Sequence, residues 1–229
     1  MNNVKYYILN QIDKAIDITD DDNFQQYKIK QEDIDILAKE YKNQELIPFI
    51  GAGFSKNIKD PLPDWNELVQ LFYNEIKKDK NISKNLALLI DYNDYISALT
   101  LIKRQHIVKL DERVKDIIKD KTKNLSADDL PVHQAFWGCN WRAVVTTNFD
   151  DLLEKSTSNI RSISYKYPYL DNEFYNTSHN SSIIRTVFHL HGRIDDTGAD
   201  RLILTWIEYF EAYGINSFKL KLLIIGYKN

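Results

Sequence analysis

The chain alternates short apolar runs with longer segments in which apolar residues recur every three or four positions. Residues 46–50, 142–147 and 185–191 are short and rich in β-branched or aromatic residues, a pattern that predicts buried strands. Two later apolar runs, at 201–205 and 220–225, predict further strands.

Helical spacing fills the regions between these runs. The pattern predicts helices over about 32–42, 64–78, 149–155 and 206–212, and a mainly helical segment over about 83–138. Because strands alternate with helices along the chain, we expect an α/β fold with a parallel sheet flanked by helices and a helical insertion at 83–138.

Composition adds that the chain is globular and has one main domain. It has 229 residues, of which 43% are hydrophobic, enough for a sizeable core. Residues 1–30 are expected to be peripheral, and residues 31–229 to form the domain. The peripheral segment contains an acidic cluster, Asp17, Asp20, Asp21 and Asp22, whose spacing lacks the pattern of a calcium loop, so a solvated loop is expected there.

Charge and cysteine content exclude several classes of function. The net charge of −3 gives no reason to expect a nucleic-acid or membrane partner. The single cysteine, Cys139, precludes an internal disulfide and a Cys₄ or Cys₂His₂ zinc site. A signal peptide and a long apolar run are both missing, so we expect a cytoplasmic protein.

Candidate chemistry lies where three predicted strands end. GAGFS occupies residues 51–55, TTNFD residues 146–150 and His-Gly residues 191–192. Ligands of α/β folds bind at the carboxyl ends of the strands, so we expect the three motifs to meet at one edge of the sheet. This convergence carries more weight than any one motif.

Each motif also has a purely structural interpretation. GAGFS could be a tight turn without a ligand, or a turn whose glycines permit positive φ and whose backbone amides hold a pyrophosphate. Asn148 and Asp150 could be ordinary helix caps, as Asp64 is expected to be for the helix at 64–78, or could orient a ribose or a water.

Two histidines lie two positions apart on a predicted strand. His189 and His191 should therefore face the same side of the sheet. They could be satisfied structural residues, a metal-binding pair, or, for His191 at the strand end, a group that transfers protons. The other histidines show no recognised metal-ligand spacing, so no metal site is expected.

Taken in order, GAGFS, LPDW at 62–65, TTNFD and LHG at 190–192 resemble the sirtuin (Sir2) superfamily. LPDWNEL at 62–68 and TTNFDDLLE at 146–154 make the chain more similar to bacterial Sir2-like domains of antiphage defence than to protein deacetylases. This resemblance implies a Rossmann-like fold and NAD⁺ as the substrate.

Several differences from the deacetylases also make the chain more similar to the antiphage-defence domains. Their four-cysteine zinc module cannot form here, their Phe-Gly-Glu substrate segment is missing, and Asn66 stands where they have arginine. The family's late Gly-Thr-Ser or Gly-Tyr-Ser element corresponds to Gly226-Tyr227-Lys228. The expectation is a C-terminally truncated domain, or a cofactor pocket that a homo-oligomer or partner protein completes or activates.

The resemblance implies an NAD⁺ hydrolase that acts as an antiphage-defence effector. His191 would be the general base, Asn148 would position water or ribose, and Asp150 would support them. The dinucleotide would be bound by residues of the strand-end motifs and of the LPDW element: Gly51, Ala52, Gly53, Phe54, Ser55, Asp64, Trp65, Thr147 and Gly226. A non-catalytic or truncated module that binds NAD⁺ or ADP-ribose, and an NAD-dependent protein deacylase, remain as alternatives.

Overall fold

The computed structural model describes residues 30–43, 46–78, 80–105, 109–139, 141–164, 184–196 and 202–213. The chain separates into two compact units, residues 1–43 and residues 44–229. In the first unit, helix α1 (Gln31–Lys42) forms where the spacing of apolar residues over 32–42 predicts a helix. The expected domain boundary near residue 30 stays a prediction, because residues 1–29 lie outside the described ranges.

The first half of the second unit is mainly helical, as predicted. Its helices are α2 (Trp65–Ile76), α3 (Lys80–Asp91), α4 (Tyr95–Gln105), α5 (Leu110–Thr122) and α6 (Pro131–Trp137). Their apolar stripes enclose a core in which Phe72, Leu99 and Ile102 are completely buried. Burial of such stripes supplies most of the stability of helices this short.

The described strands form one parallel sheet flanked by helices. Strands β1 (Phe49–Ile50), β2 (Ala143–Thr146), β3 (Arg161–Ser164) and β4 (Thr186–His189) lie in the order β1-β2-β4-β3. The predicted α/β, Rossmann-like class is therefore confirmed.

Both faces of the sheet are covered, as is usual when crossover helices join parallel strands. In β2 and β4, which occupy the centre of the sheet, every residue is buried. Consecutive residues join different apolar clusters: Val145 and Phe188 belong to one cluster, whereas Val144 and Val187 belong to the other. This alternation follows from the two-residue repeat of a strand.

Several predicted elements differ from the observed ones. The predicted strand at 201–205 is wrong, because residues 202–205 form no strand although Leu202, Ile203 and Leu204 are buried. An apolar run reports burial, whereas a strand also needs a partner along its backbone. Strand β3 was not predicted, since only Ile163 among its four residues is buried.

Two boundaries also shift. Strand β4 ends at His189, so His191 lies in the turn that follows it and not on the strand. The helix predicted at 149–155 is shorter and begins at Leu152, as α7 (Leu152–Lys155). Helix α8 (Trp206–Tyr213) matches the prediction for 206–212, and the predicted strand at 220–225 lies outside the described residues.

Candidate functional site

The loops after β1, β2 and β4 meet at the carboxyl edge of the sheet. Thr146 and His189 are paired across the two central strands. Asn148 and His191 each follow two residues later, so they leave neighbouring strands at equivalent levels. The fold therefore brings the predicted motifs to one edge, as expected for ligand sites of parallel sheets.

Asn148 joins the loop after β2 to the loop after β1. Its side-chain amide donates to the Gly51 carbonyl at 3.1 Å and to Ser55 Oγ at 2.7 Å. Its backbone amide donates to Thr146 Oγ1 at 3.0 Å. The carboxamide therefore does not cap α7, and the structural interpretation of this residue as a helix cap is wrong.

Asp150 continues this hydrogen-bonded chain below the surface. Its carboxylate accepts from the Ser55 hydroxyl at 2.6 Å and from the Leu152 backbone amide at 3.2 Å. The side chain is buried, and burial raises the pKa of Asp150 above its ordinary value, although the hydrogen bond from Ser55 opposes the shift. Ser55 is thus a bridge between Asn148 and Asp150.

The Gly51–Ser55 turn leaves open space for a ligand. A Cβ added to Gly51 or Gly53 would meet no atom within 4 Å, and neither glycine has positive φ. The turn therefore does not need glycine for its backbone conformation; what glycine provides is room for close approach. The amides of Phe54 and Ser55 already donate to the Gly51 and Ala52 carbonyls, so they are not spare donors for a pyrophosphate.

The other predicted ligand-binding residues divide into two groups. A cavity beside Asn148 is lined by Ala52, Ser55, Leu62, Pro63, Asp64, Trp65, Leu68, Ile118, Thr147, Asn148, Phe149 and Asp150. Phe54 is not among them, because its ring packs edge-on against two other rings. The distance between ring centres is 4.7 Å to His133 and 5.4 Å to Phe136. Gly226 lies outside the described residues.

Asp64 shapes the rim of this cavity. Its carboxylate accepts from the Glu67 backbone amide at 2.9 Å, while Glu67 accepts from the Asp64 amide at 2.8 Å, a reciprocal cap of α2. Lys56 donates to the Asp64 carboxylate at 2.6 Å. The predicted N-cap is therefore confirmed, and the neighbouring Trp65 lies edge-on to Phe149 at 5.9 Å.

His191 lies beside this cavity but does not line it. Its ring is 6% exposed and shares a hydrogen bond of 2.6 Å between Nε2 and the Tyr213 hydroxyl. Phe149 lies 6.4 Å from the His191 ring centre, and Tyr209 lies 5.3 Å from it. Helix α8 thus covers the imidazole on the side where Tyr209 and Tyr213 stand.

His189 has a different environment from His191, and the hydrogen-bond partners of its ring differ from the Tyr213 hydroxyl that His191 contacts. Its two ring nitrogens face the Asn148 carbonyl at 3.0 Å and Glu154 at 2.8 Å. Within the described ranges, no group of three histidine, cysteine or acidic side chains is arranged to hold a metal ion. The same ranges contain no helix with the length and apolarity needed to cross a bilayer.

Sequence reasoning did not single out Glu154, Tyr213 or Thr146 as parts of this site. Glu154 stands one helical turn after Asp150, within the TTNFDDLLE string, so its proximity to the site could have been read from helical spacing. Tyr213 carries no local signal, because its contact with His191 depends on how α8 packs.

Comparison with known proteins agrees with this geometry. Residues 142–225 match the model of the SIR2-like domain family. No curated protein matches the chain. The matched segment contains Asn148, Asp150 and His191, which follow β2 and β4 at the carboxyl edge of a parallel sheet, and over these residues the chain is similar to the SIR2-like domain family.

Proposed function

We propose that this chain is an NAD⁺ glycohydrolase, which uses water to release nicotinamide and leave ADP-ribose. The observation that carries the proposal is the hydrogen-bonded chain Asn148–Ser55–Asp150, whose three members line one cavity at the carboxyl edge of the sheet. It joins GAGFS, which the resemblance assigns to dinucleotide binding, to TTNFD, whose Asn148 and Asp150 it assigns to catalysis, and the match of residues 142–225 to the SIR2-like domain family supports the second of these motifs.

The residues would divide the work as follows. Nicotinamide leaves as a neutral group, so the enzyme needs no acid for it and must instead orient the ribose and supply a nucleophile. His191 accepts the proton of the attacking water or of a ribose hydroxyl. Asn148, held by Gly51 and Ser55, fixes the geometry at the sugar. Trp65 and Phe149 supply apolar surface for the nicotinamide ring.

The cavity fits part of this substrate on structural grounds. Its lining combines the aromatic rings of Trp65 and Phe149 with a few polar groups, a mixture typical of small-molecule sites. The open space above Gly51 and Gly53 permits close approach of a phosphate or ribose. The amides of Phe54 and Ser55 do not contribute, because they are used within the turn.

The test compares the wild type with His191→Ala, His191→Gln and Asn148→Ala. General-base assistance contributes typically ~10²–10⁴-fold, so we expect nicotinamide release to fall by that order in both His191 variants. Release is measured by chromatography of NAD⁺ incubated with purified protein, alone and with lysate of phage-infected cells. Tyr92→Ala, an exposed aromatic position, is the control.

Circular dichroism should find all four variants folded. Wild-type turnover in the His191 variants would remove this residue from the mechanism. ADP-ribose formed without any peptide present favours the hydrolase, whereas release that requires an acetylated peptide favours a deacylase.

A second function, NAD⁺ or ADP-ribose binding without turnover, is favoured by the environment of His191. This residue is nearly buried, does not line the cavity and shares its Nε2 hydrogen bond with Tyr213. Tyr213→Phe removes that hydroxyl and keeps the ring. If the chain is a hydrolase whose His191 is restrained by α8, nicotinamide release should rise in this variant. If the chain is a binding module, calorimetry should show that it binds NAD⁺, and neither the wild type nor the variant should release nicotinamide.

We further propose that the biological role is NAD⁺ depletion in the cytoplasm during phage infection. The support is the similarity of LPDWNEL and TTNFDDLLE to the antiphage-defence domains. In this proposal a homo-oligomer or a partner protein completes or activates the site. Cells that express the chain should lose NAD⁺ after infection, and cells that express Asn148→Ala should not.

A further inference from the structure

His189 is a buried histidine whose two ring nitrogens both face oxygen acceptors. It ends strand β4 with 1% of its surface exposed. Nδ1 lies 3.0 Å from the Asn148 backbone carbonyl, and Nε2 lies 2.8 Å from Glu154 Oε1. A neutral imidazole donates from only one nitrogen, so this geometry requires a second proton, either on the ring or on Glu154.

The surroundings of Glu154 place that proton on the ring. The Ser162 hydroxyl donates to the same oxygen, Oε1, and Arg193 Nη1 lies 3.8 Å from it. Burial alone would raise the pKa of Glu154, but the hydrogen bond and charge of His189 and the hydrogen bond from Ser162 together outweigh burial and lower it. Burial lowers the pKa of His189, and the Glu154 hydrogen bond and charge raise it overall. The pair is therefore an imidazolium and a carboxylate.

This pair acts on the backbone of Asn148. The Asn148 amide group donates to Thr146 Oγ1, and its carbonyl accepts from His189 Nδ1, so the peptide groups on both sides of its Cα are anchored. The carboxamide then reaches Gly51 and Ser55. A shift of the carbonyl would move the carboxamide with it.

We propose that His189 is a positioning residue: its imidazolium, held by Glu154, fixes the Asn148 carbonyl and thereby sets the direction of the Asn148 carboxamide in the cavity. The kinetic part of this inference rests on the proposed NAD⁺ cleavage, whereas the structural part does not. Misplacement of a reacting group by ~1 Å can cost ~10²-fold in rate, so even a small rotation of Asn148 matters.

Three charged groups face His189 from the elements around it. Glu154 comes from α7, Arg193 from the loop after β4 and Asp150 from the loop after β2. The His189 charge opposes the effect of burial on Asp150 and favours its ionised form. Loss of the imidazolium would thus disturb both the position of Asn148 and the charge of Asp150.

The test uses two substitutions that each keep one of the two donors. In His189→Asn the amide nitrogen replaces Nδ1 and can still donate to the Asn148 carbonyl. In His189→Gln the amide nitrogen replaces Nε2 and can still donate to Glu154. A merely structural role predicts similar losses from both, whereas positioning predicts that kcat of the Gln variant lies about 10–100-fold below that of the Asn variant, with KM changed much less.

Two nuclear magnetic resonance measurements test the positioning role of His189 without requiring enzymatic activity. In the wild type at pH 7, the ¹⁵N shifts of His189 should be those of a doubly protonated ring. The side-chain amide signals of Asn148 should move in His189→Gln and stay near their wild-type positions in His189→Asn. Both variants are first checked for cooperative unfolding.

A neutral His189 ring in the wild type at pH 7 overturns the proposal, as do equal displacements of the Asn148 signals in the two variants. In an active enzyme, equal kcat values of the two variants overturn it as well. If the wild type releases no nicotinamide, the proposed NAD⁺ cleavage fails, and the ring and amide signals still decide the role of His189.

Discussion

At the scale of single residues, Gly192 fixes the turn that carries His191. Its φ of 86° lies in the left-handed region, which side chains with a Cβ adopt at a cost. The His191 carbonyl accepts from the Ile203 amide at 2.9 Å, which ties the turn to the buried segment before α8. Gly53 differs, because its φ is −58° and the space above it is open.

We therefore expect Gly192→Ala to lower the free energy of unfolding by about 1–2 kcal/mol, the cost of a left-handed conformation for a residue with a Cβ. Gly53→Ala should leave that free energy unchanged or raise it slightly, since its backbone suits alanine. Urea denaturation measures both values. Equal destabilisation by the two substitutions would contradict this account.

The same pair separates stability from ligand binding. A methyl group at Gly53 occupies the open space above the turn, so Gly53→Ala should weaken NAD⁺ affinity measured by calorimetry while the fold is kept. Unchanged affinity would mean that the dinucleotide does not approach this turn.

At the scale of elements, α2 begins at a cap that sequence and structure share. Asp64 and Glu67 satisfy each other's backbone amides, and the buried residues Leu68 and Phe72 follow at helical spacing. Lys56 contacts both carboxylates, but all three side chains are more than a third exposed, so these ion pairs contribute little. The reciprocal cap of Asp64 and Glu67 therefore stabilises the start of α2 more than the ion pairs with Lys56 do.

Asp64→Ala should lower the free energy of unfolding by about 1 kcal/mol, the usual cost of losing an N-cap. Asp60→Ala is a matched control, because Asp60 is an exposed aspartate that pairs with Lys121. The control should change stability by no more than a few tenths of a kcal/mol. Midpoints of urea unfolding compare the two, and an equal effect would show that the cap is unimportant.

Strand β3 illustrates what element patterns miss. Among the described strands it lies at one edge of the sheet and pairs with β4, and one of its four residues, Ile163, is buried. An edge strand that is half exposed does not need a continuous apolar run, so its sequence resembles a loop. The apolar run at 202–204 misleads in the opposite way. Its continuous apolar sequence predicts a strand and its residues are fully buried, but they do not pair as one.

At the scale of the whole molecule, a buried neutral histidine makes stability depend on pH. His133 is completely buried on α6, and within the described ranges neither of its ring nitrogens has a hydrogen-bond partner. Burial lowers the pKa of His133 from 6.5 to about 4. The unfolded chain therefore binds a proton at a higher pH than the folded chain does.

The sign follows from this depressed pKa. The neutral His133 ring stabilises the folded chain fully above pH 6.5. As the pH falls towards about 4, the free energy of unfolding loses this contribution, which is on the order of 3 kcal/mol. His133→Leu cannot titrate, so the difference in unfolding free energy between wild type and variant should shift by that amount between pH 7 and pH 4. A difference independent of pH would contradict burial of the neutral ring.

Much of the site could be predicted from the sequence because strand-end motifs are local. GAGFS, TTNFD and His-Gly follow strands β1, β2 and β4, and parallel strands bring their carboxyl ends to one edge whatever the loops do. Pairings between side chains could not be predicted in this way. The roles assigned to His191, Asn148 and Asp150 remain proposals.

The sequence by itself determined the alternation of strands and helices, the N-cap at Asp64 and the edge of the sheet at which the strand-end motifs meet, since each depends on residues close together in the chain. Only the tertiary structure decided which groups meet. Asn148 bonds to Ser55 across 93 positions, and His189 to Glu154 across 35. Such hydrogen bonds depend on ångström-scale packing of separate loops, which no local pattern of apolar and polar residues encodes.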